Sequence, residues 1–152
     1  MPRSVRVQLG AALGERAATG AGAAARRLMA RAARAALRHV GARTAELSIT
    51  LLDDAAIADM NREFLAHDGP TDVISFALFE AGEDPIGDIY IGFDQAVRQA
   101  QEHGVPLGEE LARLAVHGTL HVLGHEHPAG KGRLESEMWQ VQEQIISQVL
   151  AS

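Results

Sequence analysis

The sequence predicts an α+β protein in which one small sheet of about four strands is packed by about five helices. Two observations predict this fold class. Short stretches with strand patterns occur between longer stretches whose apolar residues recur with the 3.6-residue period of a helix. The chain of 152 residues also contains no repeat, linker or charge block that would divide it. We therefore expect residues 1–152 to form a single domain.

Four stretches have strand patterns. The first alternates apolar and polar residues, and the third is apolar enough to lie centrally in a sheet. Residues 10–22 are rich in alanine and glycine, which predicts a loop or the frayed start of a helix. The predicted strands are residues 5–9, 46–52, 72–79 and 87–91.

Five stretches have helical patterns. Asp53 is a good N-cap for the second helix, and Pro106 opens the fourth, which we expect to end near Leu123. The last helix follows a turn at residues 130–132. Its predicted apolar face consists of Leu134, Met138, Val141, Ile145 and Val149. The other predicted helices are residues 23–40, 54–65, 94–103 and 106–123.

The chain has no cysteine, which excludes a disulfide framework, a thiolate zinc site and a cysteine nucleophile. Any bound metal must therefore be held by histidine or carboxylate side chains. No run of 18 apolar residues is present, and the first twenty residues lack the continuous apolar core of a signal peptide. We therefore expect a cytoplasmic protein with no membrane partner.

The net charge of -6 is unevenly distributed along the chain. Residues 1–43 hold nine arginines and one acidic residue, whereas the remainder holds five basic and nineteen acidic residues. Four arginines recur on one face of the first predicted helix. This arginine stripe is either a solvated face or a surface that binds RNA phosphates. It consists of Arg27, Arg31, Arg34 and Arg38.

Four of the seven histidines lie within the eleven residues HGTLHVLGHEH. His117 and His121 are four residues apart on the fourth predicted helix, so their side chains share a face and can bind one metal ion. Gly124 falls where the helix should end, because glycine tolerates a left-handed turn. That turn favours His127 as a third ligand, with His125 as the competing one. Three histidines leave one coordination position open, as in catalytic zinc sites; the alternative is a cluster that binds no metal.

The spacing of this segment equals that of the metzincin proteases, H-E-x-x-H-x-x-G-x-x-H, which predicts a zincin-like metal-binding helix. In those proteases the general base is the glutamate directly after the first histidine. This chain has Gly118 there, and glycine cannot move a proton. The base must therefore be Glu126, another carboxylate or hydroxide generated at the metal.

The histidine segment resembles the H-G-x-L-H-L-x-G-Y-D-H signature of the YbeY family of bacterial rRNA maturation factors. Three further blocks resemble the same family and occur in the same order. They are the helix end at residues 59–64, the segment LAHDGPTDVISF at residues 65–76 and the strand GDIYI at residues 87–91. The resemblance extends over about residues 45–150.

The resemblance implies a metalloprotein with one zinc ion held by His117, His121 and His127. It implies a single-strand-specific endoribonuclease that acts in maturation of the 3′ end of small-subunit ribosomal RNA and in ribosome quality control. The implied partners are ribosomal RNA, the ribosome, and ribosomal or assembly-factor proteins. For this activity Glu126 is our candidate catalytic residue, and the arginine stripe is our candidate RNA-binding surface.

Two departures from the family pattern concern the candidate site. Leu65 stands where many members have arginine, so a phosphate contact there would have to come from Arg62 or from the arginine stripe. His125 and Glu126 replace the Tyr-Asp pair of the signature, and glutamate keeps the carboxylate but adds one methylene.

Two other functions are compatible with the histidine cluster. One is a metallopeptidase, against which Gly118 argues. The other is a ribosome-assembly factor without enzymatic activity, whose zinc is structural. The aromatic content of 4% also argues against sequence-specific stacking on RNA bases by this chain alone.

Overall fold

The structure, a computed structural model, describes residues 4–13, 22–124 and 131–152, with residues 131–136 described by their backbone alone. Within these ranges, four strands and five helices follow one another in the order that the sequence predicts. They are β1 (Ser4–Ala12), α1 (Ala23–His39), β2 (Thr44–Leu52), α2 (Asp54–Leu65), β3 (Val73–Ala77), β4 (Ile86–Gly92), α3 (Phe93–His103), α4 (Leu107–Val122) and α5 (Lys131–Ala151).

The four strands form one mixed sheet in the order β1-β2-β4-β3. β2 pairs in parallel with β1 and β4. The expectation that the third predicted strand lies centrally is wrong, because β3 pairs antiparallel with β4 and forms an edge. Its apolar residues are explained by helices on both faces, since Ile74 packs against α2 and Val73 lies against α4. The predicted α+β class is confirmed. The prediction of a loop or helix start at residues 10–12 is wrong, because these residues continue β1 and pair with Thr50–Leu52. That pairing satisfies the backbone N–H and C=O groups of these residues, and a strand rich in alanine and glycine can form the same hydrogen bonds as any other strand.

Side chains of each strand alternate between the two faces of the sheet, and each face has its own helices. On one face, α1, α3 and α4 cover the inward side chains of β2 and β4. The buried members of this core include Met29, Leu37, Leu47, Ile49, Leu51, Ile89, Ile91 and Leu111. On the other face, α2 packs Ile57 against Leu52 and Ile74.

The helix that carries the two predicted ligands, α4, is surrounded by protein on almost every side. From Glu110 to Val122, the partly exposed residues are Arg113, His117 and His121, and every other residue is buried. The three lie four residues apart, so they form one line along the helix. α5 packs beside this line through a second buried cluster that includes Val116, Leu120, Met138 and Ile145.

Three predicted helix ends are confirmed, whereas the turn predicted to extend through residue 132 is wrong, because α5 already begins at Lys131. The side chain of Asp53 accepts a hydrogen bond from the Ala56 N–H over 2.9 Å, which caps α2. Pro106 is the N-cap residue of α4. Gly124 has φ +89°, the left-handed conformation expected after the last turn of α4. Among the described residues, none of the helices has the length and hydropathy needed to cross a membrane.

Candidate metal centre

His117 and His121 face one another on α4, as their spacing predicts. Their Nε2 atoms lie 2.9 Å apart, and their ring centroids are separated by 4.5 Å. Two tetrahedral zinc–nitrogen bonds would hold their nitrogen atoms about 3.3 Å apart. The pair therefore needs only a small adjustment to bind one ion through both Nε2 atoms. That these two side chains hold a metal stays a prediction.

The second ring nitrogen of His117 is held by α5. Its Nδ1 atom lies 2.7 Å from Oε1 of Gln142, whose side chain is buried in the interface between the two helices. A hydrogen bond from Nδ1 is the usual way in which proteins orient a histidine that binds metal through Nε2. At His117, therefore, the Nε2 atom faces His121, where a metal ion could bind, and the Nδ1 atom is held by Gln142.

An ion pair extends this network along the helix interface. The amide nitrogen of Gln142 donates to Oε2 of Glu143 over 3.2 Å. Arg113 binds both carboxylate oxygens of Glu143, over 2.8 and 3.1 Å. Partial burial alone would raise the pKa of Glu143, but the hydrogen bonds from Arg113 and Gln142 outweigh it and lower that pKa. The Glu143 hydrogen bond in turn raises the pKa of Arg113, so both groups are charged at neutral pH.

Arg113 also approaches two acidic residues on its own helix. It lies 3.2 Å from Glu109 and 3.3 Å from Glu110. Glu110 is buried and has a second neighbour in His103, whose Nδ1 lies 3.4 Å away. Arg113 therefore links the start of α4 to α5 beside the histidine pair.

Three predicted site residues cannot be placed. His127, its competitor His125 and the candidate catalytic residue Glu126 lie outside the described residues. Within the described ranges, no group of three or more His, Asp or Glu side chains is arranged to hold a metal ion. The zincin-like site therefore stays a prediction, of which the structure describes two ligands.

Gly118 lies on the side of α4 that faces the sheet, away from the side chains of His117 and His121. A Cβ atom built there would lie 2.6 Å from Cγ2 of Ile89 and 3.1 Å from Oγ of Ser75. No larger side chain fits at this position unless side chains of β4 or β3 move. The absence of a proton-transferring side chain after the first histidine is thus a consequence of how closely α4 packs on the sheet.

The arginine stripe lies on an exposed face of α1, and two of its members have partners within the protein. Arg31 donates to the backbone oxygen of Val149 over 3.0 Å and also contacts the hydroxyl of Ser152, near the end of α5. Arg34 donates to the backbone oxygen of Val5 over 3.0 Å. Arg27 and Arg38 are exposed. Val149 is seven residues beyond Gln142 on α5. The contact between Arg31 and Val149 is therefore about 10 Å along α5 from Gln142, the partner of His117.

Leu65, which stands where many family members have arginine, and Arg62, its proposed substitute, both lie on α2. Leu65 is 46% exposed at the end of this helix. Arg62 pairs with Asp59 over 2.7 Å. α2 packs on the face of the sheet opposite α4, so Arg62 and the histidine pair belong to different layers of the molecule.

Sequence reasoning missed Gln142. The predicted apolar face of the last helix is confirmed at Met138, Ile145 and Val149, which are buried, and at Val141, which packs against the same cluster. The side chain of Leu134 lies outside the described part of the chain. The structure also buries Gln142 beside Met138, Ile145 and Val149. These four residues have helical spacing, so Gln142 is a polar residue within an apolar stripe. A polar residue within an apolar stripe can be recognised in the sequence. It indicates a side chain with a specific partner, because a buried amide needs hydrogen bonds.

Comparison with known proteins identifies relatives over most of the chain. The family model described as "Endoribonuclease YbeY" matches residues 16–150. The curated Endoribonuclease YbeY of Moorella thermoacetica is 49% identical over 104 residues, which are 61% of this chain and 67% of that protein. The protein of the same name from Persephonella marina is 37% identical over 117 residues, which are 74% of this chain and 76% of that protein.

The fold also matches a solved structure. The solution structure of TM1509 from Thermotoga maritima superposes with a TM-score of 0.65 and is 24% identical. The match covers 95% of this chain and 89% of the other. It supports the observed arrangement of one sheet and five helices.

Proposed function

The chain belongs to the YbeY family of endoribonucleases, and from this membership we propose that it is a zinc-dependent, single-strand-specific endoribonuclease. We propose further that it acts in the cytoplasm on the 3′ end of small-subunit ribosomal RNA and in ribosome quality control. Its partners would be the ribosome and ribosomal or assembly-factor proteins. The observation that carries this proposal is the 2.9 Å approach of the Nε2 atoms of His117 and His121.

The chemistry of the donors supports zinc at this pair. Imidazole nitrogens are common zinc ligands, and the chain has no thiolate that would make a closed structural site. His117, His121 and His127 would hold the ion. When bound, zinc supplies Lewis-acid stabilisation of the negative charge that develops on a phosphoryl group under attack.

The protein's own side chains would supply orientation and proton transfer. Gln142 holds the ring of His117, so the metal-binding nitrogen is aimed before any ligand binds. Glu126, next to the third proposed ligand in the sequence, would accept the proton of the attacking oxygen. That oxygen belongs either to water or to the RNA 2′-hydroxyl. A 2′,3′-cyclic phosphate product would identify the 2′-hydroxyl as the nucleophile.

RNA binding is assigned to the arginine stripe because phosphate contacts by arginine are independent of base sequence. Arg31 and Arg34 already donate to backbone oxygens of Val149 and Val5. Substitution of Arg27 and Arg38 therefore tests phosphate binding without removing either of these hydrogen bonds.

The packing of Gly118 argues against a metallopeptidase. The glutamate that such an enzyme needs after the first histidine would collide with Ile89, because even a Cβ atom there lies 2.6 Å from Cγ2 of that residue. Restoring that base is therefore expected to disrupt folding before it could create peptidase activity.

Cleavage of a ribosomal RNA fragment with a single-stranded 3′ tail tests the proposed function. Zinc-loaded wild-type protein is compared with His121→Ala, and with His67→Ala as the matched control. His67 is an exposed histidine in the loop after α2, so its removal leaves the site intact. All three proteins are purified in parallel, because contaminating ribonuclease would cleave in every sample.

Cleavage by the wild type and His67→Ala but not by His121→Ala would support the proposal. Equal cleavage by all three would show contamination and overturn the assignment to this site. If none cleaves either the fragment or intact small ribosomal subunits, the enzymatic proposal is overturned in favour of an assembly factor.

A further inference from the structure

We propose that Gln142 is a positioning residue that determines which nitrogen of His117 carries the proton, so that Nε2 keeps the lone pair with which it can bind a metal ion. This inference deepens the proposed function and rests on it, because its purpose is to prepare one ligand of the proposed zinc site. It assigns a role to α5, which lies outside the histidine segment.

The orientation of the Gln142 amide follows from its two neighbours. One end of the amide lies 3.2 Å from Oε2 of Glu143, and the other lies 2.7 Å from Nδ1 of His117. A carboxylate oxygen can only accept a hydrogen bond, so the end that faces Glu143 must be the NH₂ group. The oxygen of the amide therefore faces His117, and a flipped amide would place two acceptors against each other.

The carboxylate that sets this orientation is itself fixed. Arg113 donates to both oxygens of Glu143, a bidentate geometry that restricts rotation of the carboxylate. Arg113, Glu143 and Gln142 all lie in the interface between α4 and α5, and Gln142 is 5% exposed. A buried amide with both ends paired has no alternative partner in water.

The proton on His117 follows from the amide orientation. Because Oε1 of Gln142 accepts, Nδ1 of His117 must donate, and the neutral imidazole then carries a lone pair on Nε2. That lone pair faces Nε2 of His121 over 2.9 Å. Two facing lone pairs at this distance would repel, so in the neutral, metal-free pair Nε2 of His121 holds the shared proton. A metal ion bound by both rings would take the place of that proton.

The tautomers can be observed directly in the metal-free protein. We would record long-range ¹H–¹⁵N spectra of the histidine rings at pH 8. The wild type should have His117 protonated on Nδ1 and His121 protonated on Nε2. In Gln142→Met, which keeps the length of the side chain without its acceptor, the Nδ1-protonated population of His117 should fall markedly.

Gln144→Met is the matched control, because Gln144 is an exposed glutamine two residues along the same helix. It should leave both tautomers unchanged. Gln142→Glu keeps an acceptor oxygen and should preserve the Nδ1-protonated form of His117, which a merely structural role for the amide would not predict. Backbone amide spectra establish that each variant retains the fold.

Zinc affinity provides the second measurement, by competition with a chromophoric chelator. Gln142→Met should weaken zinc binding by about 10- to 100-fold, the usual effect of losing the hydrogen-bond partner of a metal ligand. Gln144→Met should bind zinc as the wild type does.

Nε2 protonation of His117 in the wild type would overturn the inference. An unchanged Nδ1-protonated population in folded Gln142→Met would overturn it as well. The tautomer measurement needs neither zinc nor RNA. Failure of the wild type to cleave RNA would therefore contradict the proposed function while leaving the assigned tautomer supported.

Discussion

Gly118 of α4 lies directly against Ile89 of β4, so that a Cβ atom built on the glycine would be 2.6 Å from Cγ2 of the isoleucine. This contact fixes how closely α4 approaches the sheet. With Gly118 facing the sheet, His117 and His121 lie on the side of α4 that the sheet does not cover, where their side chains are partly exposed.

The contact predicts that Gly118→Ala destabilises the protein, although alanine is the better helix former. The added methyl group must displace Ile89 or Ser75, and overpacking of a core typically costs about 1–3 kcal/mol. Chemical denaturation of the two proteins measures the free energy of unfolding. Gly108→Ala on the same helix is the control, since its added Cβ meets ordinary contacts at 3.7 Å or more. That variant should be neutral or more stable by up to about 1 kcal/mol, and a loss of stability equal to that of Gly118→Ala would contradict the packing argument.

Zinc should stabilise the wild type through the histidine pair. At a free zinc concentration 100-fold above the dissociation constant, the gain in the free energy of unfolding is about 2.7 kcal/mol. His121→Ala should lose most of this gain, because one of the two facing nitrogen atoms is removed. Thermal unfolding with zinc and then with excess chelator measures the difference.

The exposed His67→Ala should respond to zinc as the wild type does. A zinc response that persists unchanged in His121→Ala would place the ion elsewhere in the protein.

Arg27 and Arg38 should contribute to RNA binding through phosphate contacts alone. The double variant Arg27→Ala/Arg38→Ala should bind single-stranded RNA more weakly at low salt. If both arginines contact phosphates, the slope of log K against log salt should fall in magnitude by about 1.4, or about 0.7 for each contact. Fluorescence anisotropy of a labelled oligonucleotide over a salt series measures both quantities.

Arg6→Ala/Arg43→Ala removes the same charge from residues outside the stripe and serves as the control. An equal loss of slope in the two double variants would indicate a diffuse charge effect in place of a binding surface.

The Arg113–Glu143 pair predicts a pH-dependent contribution to stability. Since the pKa of Glu143 is lowered in the folded protein from its ordinary value of 4.5, the pair stabilises the fold above that value. The contribution is lost as the pH falls below 4.5 and through the lowered pKa, where the carboxylate takes up a proton. Glu143→Gln should therefore be less stable than the wild type by about 1 kcal/mol at pH 7.

The same two proteins should converge in stability when unfolding is measured at progressively lower pH. Glu63→Gln, at an exposed glutamate on α2, controls for the general effect of removing one negative charge. A difference between Glu143→Gln and the wild type that stayed constant from pH 7 to pH 3 would contradict the assigned ion pair.

The sequence by itself determined the features that depend on neighbouring residues. Asp53 caps α2 and Gly124 ends α4, because capping and left-handed backbone conformations are properties of single residues. The pairing of His117 with His121 follows from the helical period, which brings residues four apart onto one face. Element order and the α+β class followed from the same local patterns.

Only the tertiary structure decided the relationships between distant residues. The continuation of β1 through Ala12 depends on its ladder with β2, whose residues lie forty positions away in the sequence. The contact between His117 and Gln142 joins two helices, and the direction of Gly118 depends on where β4 lies. Local patterns show which face of a helix or strand is apolar, but they do not show which face packs against which. The packing partners are determined by the simultaneous burial of all apolar faces of the protein. The histidine pair was therefore predictable from the sequence, whereas the network that orients it became visible only when α4 and α5 were packed together.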